Sequence, residues 1–123
     1  MNIYIAHSKD FDFKKELYEP IKKSSLSEDN LFIFPHERED GFFDSKKFIK
    51  DDCDLIIAET SYPSTGLGIE LGWANIYNIP IVCFYKKGSK ISKSLQVVTD
   101  YFFEYSTEDD LIEKINNFLE TKF

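Results

Sequence analysis

The stretch Asp54-Leu-Ile-Ile-Ala-Glu59-Thr-Ser-Tyr-Pro-Ser64-Thr-Gly66-Leu-Gly68-Ile-Glu70-Leu-Gly72-Trp73-Ala74 decides the fold. Its apolar opening, 54–58, has the composition of a buried strand. The middle is a turn of small and hydroxyl-bearing residues. The end, from Gly66 and Gly68 to about Tyr77, spaces Leu71 and Ala74 as the inward face of a helix.

The same alternation runs outward in both directions. Strand-like runs cover 2–7, 31–34, 79–84 and 101–105, and the last is short and carries Glu104. Helical patterns fill the gaps at 11–23, where Pro20 should kink or end the helix, and at 45–52. A closing helix starts from a Ser106 or Thr107 cap, with Asp109 and Asp110 in its first turn and a stripe from Leu111 to Leu119. Strands alternating with helices predict parallel strands joined by crossovers. The expectation is a single-domain, flavodoxin-like open sheet of about five strands over residues 1–123, with ligands outside the carboxyl ends of the strands.

Composition narrows the functional classes. The 123 residues hold about one domain, 42% of them hydrophobic, and no apolar run approaches the roughly 20 residues of a membrane span. Fifteen Lys and Arg against 22 Asp and Glu give a net charge of -7, a field that repels nucleic acid and anionic membrane. An anionic ligand therefore needs a local basic pocket. Lys86, Lys87, Lys90 and Lys93, interleaved with Ser89, Ser92 and Ser94, form the dense basic run. Cys53 and Cys83 lie among apolar residues, and the first residues lack the basic-then-apolar pattern of a secretory signal. A cytoplasmic setting follows as an expectation. Two histidines without clustered thiols argue against structural zinc.

In the deciding stretch, Gly66 and Gly68 allow backbone N–H groups to approach an oxyanion, and Ser64 adds a hydroxyl. Glu70 near a helix N-terminus should be held ionised, which suits a nucleophile. Equally, Glu70 could be a capping carboxylate and the glycines a tight turn. Spacing alone leaves both readings open.

The segment resembles the nucleoside 2-deoxyribosyltransferase family, and within it the 2'-deoxynucleoside 5'-phosphate N-hydrolases. Those proteins share an aspartate-led strand ending in A-E, followed by P-S-x-G-x-G-x-E-L-G. The resemblance implies that Glu70 is the nucleophile toward the anomeric carbon and that Ser64 contacts the 5'-phosphate. It extends to Ile3-Tyr-Ile-Ala-His7-Ser8, giving Tyr4 and Ser8 ligand contacts, and through 80–94, where Ser94 would reach the phosphate bound by a neighbouring subunit. His36 matches a histidine at the rim of the family's site.

One position departs from the pattern: Lys46 stands where the family has the carboxylate that protonates the leaving base. Asp44, at the start of the same helix, is the substitute, with Asp51 a later alternative and His36 a second proton carrier. Ile69 replaces a tyrosine next to the nucleophile.

The resemblance implies an N-glycosidase acting on 2'-deoxynucleoside 5'-monophosphates, without metal or organic cofactor, in a homodimer with a shared active site. Three alternatives accompany it. One is a deoxyribosyltransferase. Another is an NAD glycohydrolase, since the opening strand also resembles TIR domains. The third is a non-catalytic nucleotide sensor that kept the phosphate cradle. Trp73 is read as core packing, and His7 as a cap on the sheet edge.

Overall fold

The computed structural model describes residues 1–37 and 43–123. Five parallel strands, β1 (Asn2–His7), β2 (Leu31–Ile33), β3 (Leu55–Glu59), β4 (Ile81–Lys86) and β5 (Phe102–Tyr105), form one sheet in the order β2-β1-β3-β4-β5. From β1 the chain goes outward to β2 and then returns across β1 to β3. The direction of winding therefore reverses between β1 and β3, and the crevice expected of such a reversal opens beyond their carboxyl ends. His7 and Glu59, which close these strands, are partners in the register.

Alternation along each strand sorts side chains to two faces. Ile3 and Ile5 of β1, Leu55 and Ile57 of β3, and Val82 and Phe84 of β4 pack against Leu17, Ile21, Leu111 and Ile115. Tyr4 and Ala6, Ile56 and Ala58, and Ile81 and Cys83 pack on the other face against Ile49, Leu67, Leu71 and Ala74. The first face is covered by α1 (Glu19–Lys23) and α5 (Glu108–Lys122), the second by α3 (Ser45–Asp51) and α4 (Thr65–Ile76). A short helix, α2 (Leu26–Asp29), precedes β2, and a 3-10 turn, Lys93–Val97, precedes β5.

The helix starts follow side-chain chemistry. Asp44, Ser64 and Thr107 each accept a hydrogen bond from the backbone N–H three residues on, at 3.1, 3.2 and 3.1 Å. Ser64 thus starts α4 two residues before Gly66. The glycines expected to make a tight turn lie inside the helix instead, and Glu70 falls beyond its first turn. Pro20 does not break its helix. A π-helical turn, Lys14–Tyr18, runs directly into α1, with the Glu19 N–H bonded to the Lys14 carbonyl. The wider turn accommodates a residue with no N–H to donate. Among the described residues, no helix is long and apolar enough to cross a membrane.

Candidate active site

Strand parity decides which groups meet at the crevice. Tyr4 points toward α3 and α4 and is fully buried. On α4, Glu70 precedes the buried Leu71 and so edges the inward stripe. The Tyr4 hydroxyl donates to Oε2 of Glu70 and lies 2.6 Å from Oγ of Ser45, the first residue of α3.

Burial pushes the Glu70 carboxyl above the usual range, opposed by the Tyr4 hydroxyl that donates to it and by the Ser45 hydroxyl beside that of Tyr4. This corrects the expectation of a carboxylate held ionised by the helix start. Its environment is set by desolvation and by hydroxyl donors. Burial and the neighbouring Glu70 charge push the Tyr4 phenol far up, so that it stays a proton donor.

Above this pair opens a cavity of about 680 Å³. It brings together Glu70, Asp44, His36, Ser8, Ser64 and Gly66 from the sequence-predicted set. Its apolar wall includes Phe43, Ile69 and Trp73. Trp73, read from sequence as core packing, is half-buried and serves both the core and this wall. Ser8 is 1% exposed, and its hydroxyl accepts the Asp10 N–H at 3.0 Å. The serine therefore shapes the loop after β1 as well as lining the cavity. Gly68 and Ser94 line a neighbouring cavity of about 450 Å³, which shares Ser64 and Leu67 with the first.

The lysine run is not where the sequence suggested. None of Lys86, Lys87, Lys90 and Lys93 lines the Glu70 cavity; among the described residues its cations are Lys9 and Lys46. Lys86 instead pairs with Glu16 at 2.7 Å and donates to the Tyr62 hydroxyl at 3.1 Å. Its ammonium also lies 5.1 Å from the centroids of the Phe11 and Tyr62 rings.

His7 is also more than an edge cap. It is 3% exposed, and Nδ1 lies 2.7 Å from the Ser8 carbonyl, which can only accept. Nδ1 therefore carries the proton, and Nε2 accepts from the Tyr18 hydroxyl at 2.6 Å. Tyr18 in turn accepts the His36 N–H at 3.1 Å. Burial drives His7 down to about 4, and it lowers His36 as well. Sequence reasoning missed the pocket role of His7. Its odd position in β1, three residues from Tyr4, signals burial toward the α1 face; its place at the strand's carboxyl end, beside Ser8, is the signal for the cavity.

A second carboxylate closes β3. Glu59 is 1% exposed and accepts the Ser61 N–H at 2.6 Å, the Ser61 hydroxyl at 3.0 Å and the Tyr105 hydroxyl. Ser61 Oγ accepts the Lys86 N–H at 2.7 Å. These bonds, with Thr60 N–H to the Phe84 carbonyl at 2.9 Å, pin the loop that leads to Ser64.

Comparison with known proteins finds similar nucleotide N-hydrolases. The chain is 36% identical over 88 residues to a 5-hydroxymethyl-dUMP N-hydrolase of Esox lucius, covering 66% of this chain and 55% of that protein. The chain is similar to nucleotide N-hydrolases. Over 46 residues it is 41% identical to a Syntrophotalea carbinolica protein named as a 2'-deoxynucleoside 5'-phosphate N-hydrolase, covering 37% of this chain and 32% of that one. The matched segments of these N-hydrolases thus span about a third to about half of their lengths. A Clostridium botulinum CMP N-glycosidase structure superposes with a TM-score of 0.67 at 21% identity, covering 94% of this chain and 99% of the other, which shows a shared fold. No family model matches the chain.

Proposed function

We propose that residues 1–123 form a nucleoside 2-deoxyribosyltransferase-like domain that hydrolyses the N-glycosidic bond of 2'-deoxynucleoside 5'-monophosphates. The observation that carries this is the Tyr4–Glu70 pair at the floor of a cavity beyond β1 and β3, beside the capped start of α4. A desolvated carboxylate facing such a cavity is suited to attack an electron-poor carbon.

Glu70 attacks the anomeric carbon as the carbon–nitrogen bond breaks, and the electron pair of that bond leaves with the base. The base takes up a proton. Water then attacks the same carbon, the glycosyl ester opens, and Glu70 recovers its carboxylate as deoxyribose 5-phosphate departs. The proton released by water replaces the one given to the base.

Asp44 and His36 are the proton carriers assigned to the leaving base. Asp44 caps α3 at the cavity mouth, and His36 reaches the rim beside His7, with ring centroids 5.2 Å apart. The 5'-phosphate is assigned to the Ser64 hydroxyl and the N–H groups at the start of α4, with Lys9 and Lys46 as the nearby cations. Tyr4 orients the nucleophile. Ser94, exposed in its own protomer, is assigned to a neighbour's phosphate in a homodimer.

The test is incubation of purified protein with deoxynucleoside monophosphates, the matching nucleosides and NAD, following free base by chromatography. Base release from the monophosphates well above that from the nucleosides is expected. Each charge-assisted donor on the phosphate contributes about 1.5 to 3 kcal/mol. Equal rates on nucleotides and nucleosides would overturn the phosphate assignment, and binding without turnover would favour a sensor.

A further inference from the structure

We propose that Ser45 is a positioning residue for Glu70, holding the Tyr4 hydroxyl in line with the carboxylate from the first turn of α3. Nothing in the sequence pairs these groups, because Ser45 and Tyr4 are 41 residues apart. The hydrogen bonds dictate the direction of the chain. Tyr4 has a single hydroxyl proton, and an ionised Glu70 can only accept it. The oxygen of Tyr4 is then left as an acceptor, and Ser45, 2.6 Å away, becomes the donor. The result is a one-way relay from Ser45 to Tyr4 to Glu70. Each bond polarises the next, so that a buried negative charge is opposed by two hydroxyl dipoles.

The backbone at Ser45 is fixed on both sides. Asp44 caps the helix through the Lys47 N–H at 3.1 Å, and the Ser45 N–H donates to the Phe43 carbonyl at 2.9 Å. The rings of Phe43 and Phe48 lie 6.2 and 6.1 Å from the Tyr4 ring, so α3 holds both the ring and its hydroxyl. Without Ser45, Tyr4 would lose the donor to its oxygen, and its bond to Glu70 would weaken. Burial would then hold the carboxyl still further toward its neutral form.

Other charged or titratable groups face the same cavity. Among the described residues they are Lys9, Asp10 and neutral His7 from the loop and end of β1, His36 beyond β2, and Asp44 and Lys46 at the start of α3, with the Tyr18 hydroxyl bonded to His7 and to the His36 N–H. Ser45→Ala changes none of these groups. A shift in Glu70 titration in that variant therefore reports the hydroxyl relay.

Only the kinetic side of this proposal rests on the glycosidase reading, so the deciding measurement is independent of activity. Protein labelled with carbon-13 at glutamate side-chain carboxyls is titrated by NMR, and the Glu70 signal is assigned by its loss in Glu70→Gln. Ser45→Ala should raise the Glu70 midpoint by about one pH unit, and Ser45→Thr, which keeps the hydroxyl, should return it to within a few tenths.

In a Tyr4→Phe background, the shift caused by Ser45→Ala should vanish, because the relay already lacks its middle member. An unchanged midpoint in Ser45→Ala would overturn the proposal. So would failure of Ser45→Thr to restore it, or persistence of the full shift in the Tyr4→Phe background. Alanine is well tolerated at a helix start capped by Asp44, and a thermal melt of each variant checks the fold. If base release is observed, the acid limb of kcat/KM should move with the NMR midpoint. Absence of base release in the unmodified protein would count against the glycosidase reading and leave the titration result standing.

Discussion

Glu59 and Glu70 are two carboxylates beside two tyrosine hydroxyls, on opposite faces of one sheet, and their surroundings suit them to opposite tasks. Glu59 points to the α1–α5 face and is shut in with the Ser61 N–H, the Ser61 hydroxyl and the Tyr105 hydroxyl. Its acceptors are used within the protein, and its work is to hold the Thr60–Ser64 loop in place. Glu70 faces α3 and opens on a 680 Å³ cavity. Its oxygen meets Tyr4, and burial makes its charge less comfortable. A carboxylate saturated with donors is structural, and one that is desolvated beside open space is reactive.

The largest test of this contrast is activity. Glu70→Gln should lower base release by about three orders of magnitude or more, as loss of a nucleophile does. Glu59→Gln should stay within about tenfold of the unmodified protein in the same chromatographic assay, provided that it folds. Comparable losses in both variants would erase the distinction.

Stability should rank the two variants the other way. Glu59→Gln replaces an acceptor in a fully buried network and should cost about 2 to 4 kcal/mol, read as a lower midpoint in urea unfolding. For Glu70 the sign reverses. A carboxyl whose pKa is raised by folding favours the folded state below its unfolded pKa, and this contribution is lost as pH rises through the folded value. At pH 7 the ionised side chain is a burden. Glu70→Gln should therefore match or exceed the unmodified protein in the same urea series.

His7 sharpens the comparison from a third position. Its pKa falls from 6.5 to about 4 on folding, so it contributes stability above pH 6.5 that is lost as pH falls toward 4. His7→Gln should flatten the fall of the unfolding midpoint across that window. The smallest effect belongs to Ser64→Ala, which should remove a helix cap of about 1 kcal/mol. A larger loss of stability would mean that Ser64 supports the loop as well as the helix.

Much of the fold was legible because buried parallel strands read as apolar runs, and 54–58 followed by a helical pattern leaves few arrangements. Ser64, Asp44, His36 and Ser8 were legible as neighbours of one cavity because each lies at or just beyond an element's end, and Glu70 because it follows Ser64 on the same helix. The relay was not, because Tyr4, Ser45 and Glu70 come from three separate segments and meet only through packing. The lysine run misled for a related reason: charge counted along the chain carries no direction. Glu16, Tyr62 and Phe11 draw Lys86 to another part of the surface. Pro20 does not end the helix, because the chain enters α1 through a turn wider than the α-helical one that sequence rules assume.

The two glycines inside the start of α4 bear on how this scaffold could be made more robust. A methyl group added at Gly66 or Gly68 would find no atom within 4 Å beyond its chain neighbours and the backbone of its own helix. Gly→Ala there should strengthen the helix by up to about 1 kcal/mol, partly by restricting the unfolded chain. Yet Gly66 lines the cavity that Glu70 faces, and Gly68 the neighbouring one, so bulk added at either is bulk added at a cavity wall. Thermal hardening and an open approach to the carboxylate therefore compete for the same few cubic ångströms, and a stabilised version of this domain would have to find its gains on another helix.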